Sequence, residues 1–271
     1  MDNLQEQIRE LTDALDNERM ARRAAEAATE EAEQARQEFV ALVTHELRVP
    51  MTSIKGYTDL LLKGIMGPLN ETQMNFLNVI RTNVERMSRM VADLADINKI
   101  EGERFPLNLT TVPLTDVLKE AIQPHTHTIA GKTQTVTTTV PDDLPPLQGD
   151  RARLIQILSN LISNATQYTP ESGVIVITAE ALPNAEVHIA IQDNGIGILE
   201  DEQPRIFEKF FRASDEETRQ TPGNGLALYL SRQLVILHQG RIWFESQRGA
   251  GTTFHVVFPT APTEAAVPGL P

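Results

Sequence analysis

The 271 residues include no Cys, 41% hydrophobic and 5% aromatic residues, and 24 Lys and Arg against 37 Asp and Glu, for a formal net charge of −13. Lack of Cys excludes disulfides, thiolate catalysis and Cys-ligated metal sites, and the acidic balance argues against a general nucleic-acid binder, which needs excess cations to neutralise phosphate. No window approaches the roughly 18 apolar residues of a membrane helix and the first residues are not a signal peptide, so a soluble, cytoplasmic chain is expected, or the cytoplasmic part of a larger protein.

From Met1 to about Phe39 there is no Pro or Gly, and Ala, Glu, Gln and Arg dominate. Leu4, Ile8, Leu11 and Leu15 form one heptad seam, and Ala21, Ala25, Ala28, Ala32, Ala35, Phe39 and Leu42 form a second. The step from Leu15 to Ala21 slips the phase. Residues 1–38 are therefore expected to form a coiled-coil helix, with an isolated charged helix as the alternative. Its narrow Ala seam buries little apolar surface and should associate weakly by itself.

The helical pattern continues through Phe39–Pro50 and resumes with Ile54, Leu60 and Leu61. Pro50 removes a backbone donor, which predicts a kink. Gly64 and Gly67-Pro68 mark a turn, and Met74, Leu77, Ile80, Val84, Met87, Val91 and Leu94 give a second amphipathic helix. A helical hairpin is expected over 39–101. Each hairpin leaves an apolar stripe uncovered, so two copies should pair as a four-helix bundle, making a homodimer.

Near Gly102 β-branched segments begin to alternate with helical ones. Thr133–Val140, Val174–Ala179 and Val187–Gln192 read as strands, and Trp243–Glu245 and Thr252–Phe258 as a pair closed by Gly249-Ala250-Gly251. Helices are expected at Leu114–Thr128, Arg151–Tyr168 and Leu226–Leu237, with Asp150 capping the middle one. Strands with helices on one side predict an α+β sandwich over 102–259. A Pro- and Ala-rich tail, 260–271, is expected to be disordered. The predicted fold class is thus α and α+β: a coiled coil and dimeric hairpin (four-helix bundle), then an α/β-sandwich domain.

Five signatures occur in order: His45-Glu46-Leu47-Arg48-Val49-Pro50; Asn160-Leu161-Ile162-Ser163-Asn164-Ala165; Asp193-Asn194-Gly195-Ile196-Gly197; Phe207-Glu208-Lys209-Phe210-Phe211-Arg212; and Gly223-Asn224-Gly225-Leu226. With these boxes the chain resembles, from about Phe39 to Pro259, the sensor histidine kinases of two-component signalling. The resemblance implies an ATP- and Mg²⁺-dependent kinase that phosphorylates His45 and passes the group to an Asp of a response-regulator receiver domain.

Neutral imidazole keeps a nitrogen lone pair near pH 7 and can attack phosphorus, so His45 is the candidate nucleophile. Glu46 is placed to orient and deprotonate it. Asn160 and Asn164 stand one helical turn apart on one face. Their carbonyls are hard oxygen ligands suited to Mg²⁺; the resemblance implies Asn164 as metal ligand, Asn160 as a catalytic neighbour near the phosphates, and Tyr168 as a ring packed near the nucleotide. Asp193 could accept from the exocyclic amine of adenine, and Gly195 and Gly197 permit close backbone approach. Gly223, Asn224, Gly225 and Leu226 precede a helix whose N-terminus could hold phosphate oxygens. The polar stretch from Arg212 to Pro222 reads as a lid.

Three positions depart from the family. Ala227 replaces a third glycine, harmless if helical and impairing if a positive φ is needed. Gln167 stands where a basic residue is frequent, so one phosphate contact is expected to be missing. Val49 stands where many members carry Thr or Asn, which predicts weak phosphatase activity. Two other readings remain: a gyrase-like ATPase, which would want a Glu general base where this chain has Asn, and a degenerate kinase serving as a dimeric scaffold.

Overall fold

The computed structural model describes residues 2–214 and 223–262, and before Gln34 only the side chains of Arg19, Met20, Arg22, Arg23, Glu31 and Ala32. The chain divides into two compact units, Met1–Glu103 and Arg104–Pro271.

The first unit is two helices, α1 (Asp2–Leu62) and α2 (Glu71–Glu101). α1 runs without interruption through Pro50, where a kink was expected. Pro50 removes one intrahelical donor there, and the hydroxyls of Thr52 and Ser53 donate back to the Arg48 and Val49 carbonyls, the i−4 bonding that accompanies bends in continuous helices. The N-terminal seam residues Leu4, Ile8, Leu11, Leu15, Ala21, Ala25 and Ala28 lie outside the described side chains, whereas Ala32, Ala35, Phe39 and Leu42 are exposed.

The turn between the helices uses Gly64 and Gly67 at φ +71° and +115°, conformations open to Gly without a Cβ clash. Asn70 then caps α2 in a reciprocal box with Gln73, at 2.9 Å each way. The helices pack antiparallel: Arg36 meets Glu101 at 2.9 Å, Asn98 donates to the Gln37 carbonyl, and Lys55 meets Glu85 at 3.4 Å. The paired region therefore reaches Arg36, inside the stretch expected to be a separate coiled coil. Met51, Val84 and Val91 form the buried core between the helices, while Leu47, Ile54, Met74, Ile80 and Met87 remain exposed on a single chain.

The second unit is a mixed five-stranded sheet with helices on one face. Its strands are β2 (Thr135–Thr139), β4 (Val174–Leu182), β5 (Glu186–Asp193), β6 (Arg241–Gln247) and β7 (Gly251–Pro259), in the order β2-β4-β5-β7-β6. Only β2–β4 is parallel. A two-stranded pair that sequence reading did not find, β1 (Thr110–Val112) with β3 (Leu147–Gly149), lies beside it; each strand is three residues long, too short to show alternation.

The helix expected over Leu114–Thr128 is broken into α3 (Leu114–Ile122), a 3₁₀ turn (Gln123–His125) and α4 (Thr126–Gly131). Pro124, which has no N–H to continue the α-ladder, accounts for the break. α5 (Arg151–Tyr168) has the predicted bounds, and Asp150 caps it by accepting from the Ala152 and Arg153 amides. The last helix, α6, spans Ala227–Leu237. The periodicity of α5 aims Leu154, Ile157, Leu158, Leu161 and Ile162 at the sheet, where they meet Ile175, Ile177, Ile189, Ile191 and Phe258, all fully buried.

His238 is a satisfied core histidine. Its Nδ1–H donates to the Leu234 carbonyl, and its Nε2 accepts from the Asp150 amide at 3.0 Å. Thr260 and Ala261, expected in the disordered tail, are held: their amides donate to the carbonyls of Ala185 and Pro146. The apolar Ala261 is buried there, which composition alone did not reveal.

Candidate functional site

The candidate phosphoacceptor and the candidate nucleotide residues lie in different units. His45 is on α1, with 71% of its side chain exposed, and its Nδ1 sits 3.3 Å from Glu46 Oε1. When Nδ1 carries the proton donated to that carboxylate, Nε2 keeps its lone pair and faces solvent. Thr44, one residue earlier, is buried and back-bonds to Val40 and Ala41. The helix thus buries one edge of this turn and presents the next residue outward. Val49, one turn on, is also exposed.

In the second unit, α5 brings Asn160, Asn164 and Tyr168 onto one face by its 3.6-residue period. The Asn160 amide donates to Ser231 Oγ at 3.1 Å and to the Ala227 carbonyl, so it also ties α5 to α6. The Asn164 side chain is half-buried and makes no hydrogen bond to another described residue. Its carbonyl is therefore available to a cation.

Asp193 ends β5 and is buried, at 6% exposure. Its Oδ1 accepts from the amides of Gly195 at 2.9 Å and Thr252 at 3.2 Å. Burial pushes its carboxyl up to about 6 against the pull of those two amides. Oδ2 has no partner among the described residues, which leaves one acceptor aimed away from the protein's own amides.

The glycines explain themselves by approach. A Cβ on Gly195 would stand 2.5 Å from the Tyr168 carbonyl oxygen, and one on Gly197, at φ +67°, would collide with the Gln247 carbonyl. The Asp193–Gly197 loop is thereby pressed onto the end of α5 at Gly195 and onto the end of β6 at Gly197. The Ile196 amide completes this by donating to the Tyr168 carbonyl at 3.2 Å.

At the start of α6, Gly225 takes φ +69°. Asn224 Oδ1 accepts from the Leu226 amide, so that amide, expected to serve a phosphate, is satisfied within the loop. The first-turn amides that follow have no preceding turn to bond to and point out of the helix end. Ala227 is the first residue of α6 and is absent from the positive-φ positions, so its methyl group is accommodated as an ordinary helical side chain.

Gln167, at the position expected to lack a phosphate contact, donates to Ser163 Oγ. Sequence reading passed over Arg212 as a site residue. Its Nε lies 3.8 Å from where a Cβ on Gly223 would be, and its charge opposes the burial that pushes the Tyr168 hydroxyl up. It was read only as the end of an aromatic box, and no spacing rule connects it to Tyr168. The expected lid falls mainly on residues 215–222, outside the described residues.

The donor set suits a nucleotide with its cation. A glycine-lined loop closes on a buried carboxylate with one open oxygen, an unbonded Asn carbonyl stands on the adjoining helix, and helix-end amides face the same region. Residues 149–262 match the family described as histidine kinase-, DNA gyrase B- and HSP90-like ATPase, and residues 35–103 match the His Kinase A (phospho-acceptor) domain. The chain belongs to the sensor histidine kinases of two-component systems.

Among similar proteins, the sensor-like histidine kinase SenX3 of Mycobacterium tuberculosis is 35% identical over 228 residues, 84% of this chain and 54% of its own length. The sensor histidine kinase WalK of Bacillus subtilis is 31% identical over 231 residues, 85% of this chain and 38% of its own. The chain thus spans about half, or less, of the length of these relatives. Among solved structures, full-length ShkA in complex with AMPPNP aligns with a TM-score of 0.70 at 27% identity, covering 84% of this chain and 47% of ShkA. Histidine kinase ThkA in complex with the response regulator protein TrrA aligns with a TM-score of 0.56 at 27% identity, covering 83% and 61%.

Proposed function

We propose that the chain is an ATP-dependent protein-histidine kinase that phosphorylates its own His45 and passes the phosphoryl group to an Asp of a response regulator. The observation that carries this reading is the exposed His45 imidazole, paired through Nδ1 with Glu46, on a chain that also holds the Asp193 and Asn164 donor set.

In the proposed reaction His45 Nε2 attacks the γ-phosphorus, an N–P bond forms, and the β–γ bridging P–O bond breaks with its electrons leaving on ADP. The imidazole gains positive charge as it attacks, and Glu46 stabilises it by accepting the Nδ1 proton. Asp193 binds the adenine amine and fixes the base. Asn164 would hold Mg²⁺ with Asn160 beside it, and the ion, when bound, neutralises phosphate charge. Asn160 and Asn164 offer no general base to activate water, so transfer to His45 is favoured over hydrolysis.

The exposed apolar residues Leu47, Ile54, Met74, Ile80 and Met87 suit burial against a second copy in a four-helix bundle. The complex of ThkA with TrrA supports a response regulator as partner.

Incubation with γ-labelled ATP tests the function. Wild type should acquire acid-labile, base-stable label, and His45→Gln should acquire none while still binding ATP. Acid-labile label persisting in His45→Gln would move the phosphosite, and absence of label from wild type would remove the kinase reading.

A further inference from the structure

We propose that Lys132, reaching α5 from the loop before β2, is a positioning residue for the nucleotide site: its ammonium holds the last turn of α5, and with it Asn164, Tyr168 and the Asp193–Gly197 loop. The inference rests on the nucleotide reading of that site.

A helix leaves its last four carbonyls without intrahelical donors, and a left-handed Gly commonly supplies replacements. Here the cap is Thr169, at φ −80° and ψ 131°, held extended because Pro170 follows. The left-handed motif is therefore closed to this helix end, and donors must come from elsewhere.

They come from one short segment. Lys132 Nζ donates to the carbonyls of Thr166 at 2.9 Å, Gln167 at 2.8 Å and Thr169 at 3.0 Å. Gln134, two residues on, donates from its buried amide to Thr166 and Thr169 and more weakly to Pro170. The Ala165 carbonyl is taken by the Thr169 amide. That leaves Tyr168, whose carbonyl accepts from the Ile196 amide of the Asp193–Gly197 loop.

The last-turn carbonyls are thus divided between Lys132 and Gln134 on one side and the candidate adenine loop on the other. A cation at a helix C-terminus also opposes the negative end of the dipole. Without the ammonium, the Gln167 carbonyl loses its donor, and those of Thr166 and Thr169 keep only the neutral Gln134. The turn then frays, and the Tyr168–Ile196 link that sets the distance from α5 to Asp193 loosens with it. Lys132 acts through these carbonyls and makes no contact of its own with base or phosphate.

Two measurements test this on the full chain, with Lys132→Met keeping the stem and Lys132→Arg keeping the charge. In the ligand-free protein, hydrogen exchange at the Ile196 amide should quicken roughly tenfold in Lys132→Met, as expected when one supporting charge-assisted bond set is lost. AMPPNP affinity, measured well below the melting temperature, should weaken by about tenfold in Lys132→Met and stay within about threefold of wild type in Lys132→Arg. A lowered melting temperature with unchanged Ile196 exchange and unchanged affinity would make Lys132 a purely structural residue and overturn the proposal. If wild type itself fails to bind AMPPNP, the nucleotide reading falls, while the exchange result still decides whether Lys132 holds the turn.

Discussion

Replacing Asp193 by Asn separates nucleotide recognition from folding. The carboxylate uses Oδ1 for the amides of Gly195 and Thr252 and has Oδ2 open to a ligand. In Asp193→Asn the single amide oxygen stays with those two N–H donors, which puts the NH₂ group where Oδ2 was. The adenine amine then meets a donor in place of an ionised acceptor. Loss of a hydrogen bond to a charged group is worth about 1.5–3 kcal/mol, which corresponds to roughly 10- to 150-fold weaker binding.

Stability should respond differently. Burial raises the Asp193 carboxyl from 3.8 to about 6. The folded state therefore binds more protons than the unfolded state between those values, and this group's contribution to stability is greatest below pH 3.8 and declines as pH rises through 6. Above that, the buried charge costs about 3 kcal/mol, at 1.36 kcal/mol per pKa unit. Asp193→Asn removes that cost but leaves the Gly195 and Thr252 amides a neutral acceptor in place of a charged one, a loss of about 1–3 kcal/mol. The two offset, so the melting temperature should move by less than about 5 °C.

Calorimetric titration with AMPPNP between pH 5 and 8, paired with thermal melts, reads both. Wild-type affinity should fall by up to about tenfold between pH 7 and pH 5 as the carboxyl protonates, and Asp193→Asn should be weak and flat over this step. Equal affinities for the two proteins at pH 7.5, or a pH step that survives in Asp193→Asn, would remove Asp193 from the adenine pocket.

Asn164→Ala should raise the Mg²⁺ concentration needed for half-maximal His45 labelling by about tenfold or more, as loss of one hard oxygen ligand predicts; an unchanged Mg²⁺ dependence would refute the ligand assignment. Val49 shares an exposed helical face with His45 and has no group that could orient water, so Val49→Thr should speed dephosphorylation of the regulator severalfold and leave autophosphorylation nearly unchanged. Rapid regulator dephosphorylation by wild type would contradict this. Trp243, the one tryptophan, stacks on His255 and His188, which hydrogen-bond each other at 3.0 Å, with Glu180 at His188 and Glu245 4.0 Å from His255. Burial, then His188, lowers the His255 pKa against Glu245, so its stabilising contribution is complete above its ordinary 6.5 and is lost as pH falls through the lower folded value. Trp243 fluorescence should therefore titrate with a midpoint below 6.5, and a step at or above 6.5, or one retained in His255→Gln, would show that another group is responsible.

Periodicity and local chemistry made much of the molecule legible in advance. The seam of α2, the bounds of α5 and its Asp150 cap follow from spacing and from a side chain bonding amides two and three residues away. The order of the five boxes named the family, because each box is a contiguous stretch whose residues must stand together.

What the sequence did not disclose depends on contacts between distant segments. The cap of α5 by Lys132 joins residues more than thirty positions apart in the chain. The burial of Ala261 and the nearness of Arg212 to Gly223 likewise have no local signature. Gln167 and Ala227 were ambiguous because whether each departure matters depends on the φ angle and neighbours at that point. The tertiary structure decided the second by making Ala227 helical, and it gave the first a hydrogen bond to Ser163. Side-chain identity fixes which bonds a residue can make, but the folded backbone selects the partner, and at the end of α5 that selection also brings the Asp193 loop against Tyr168.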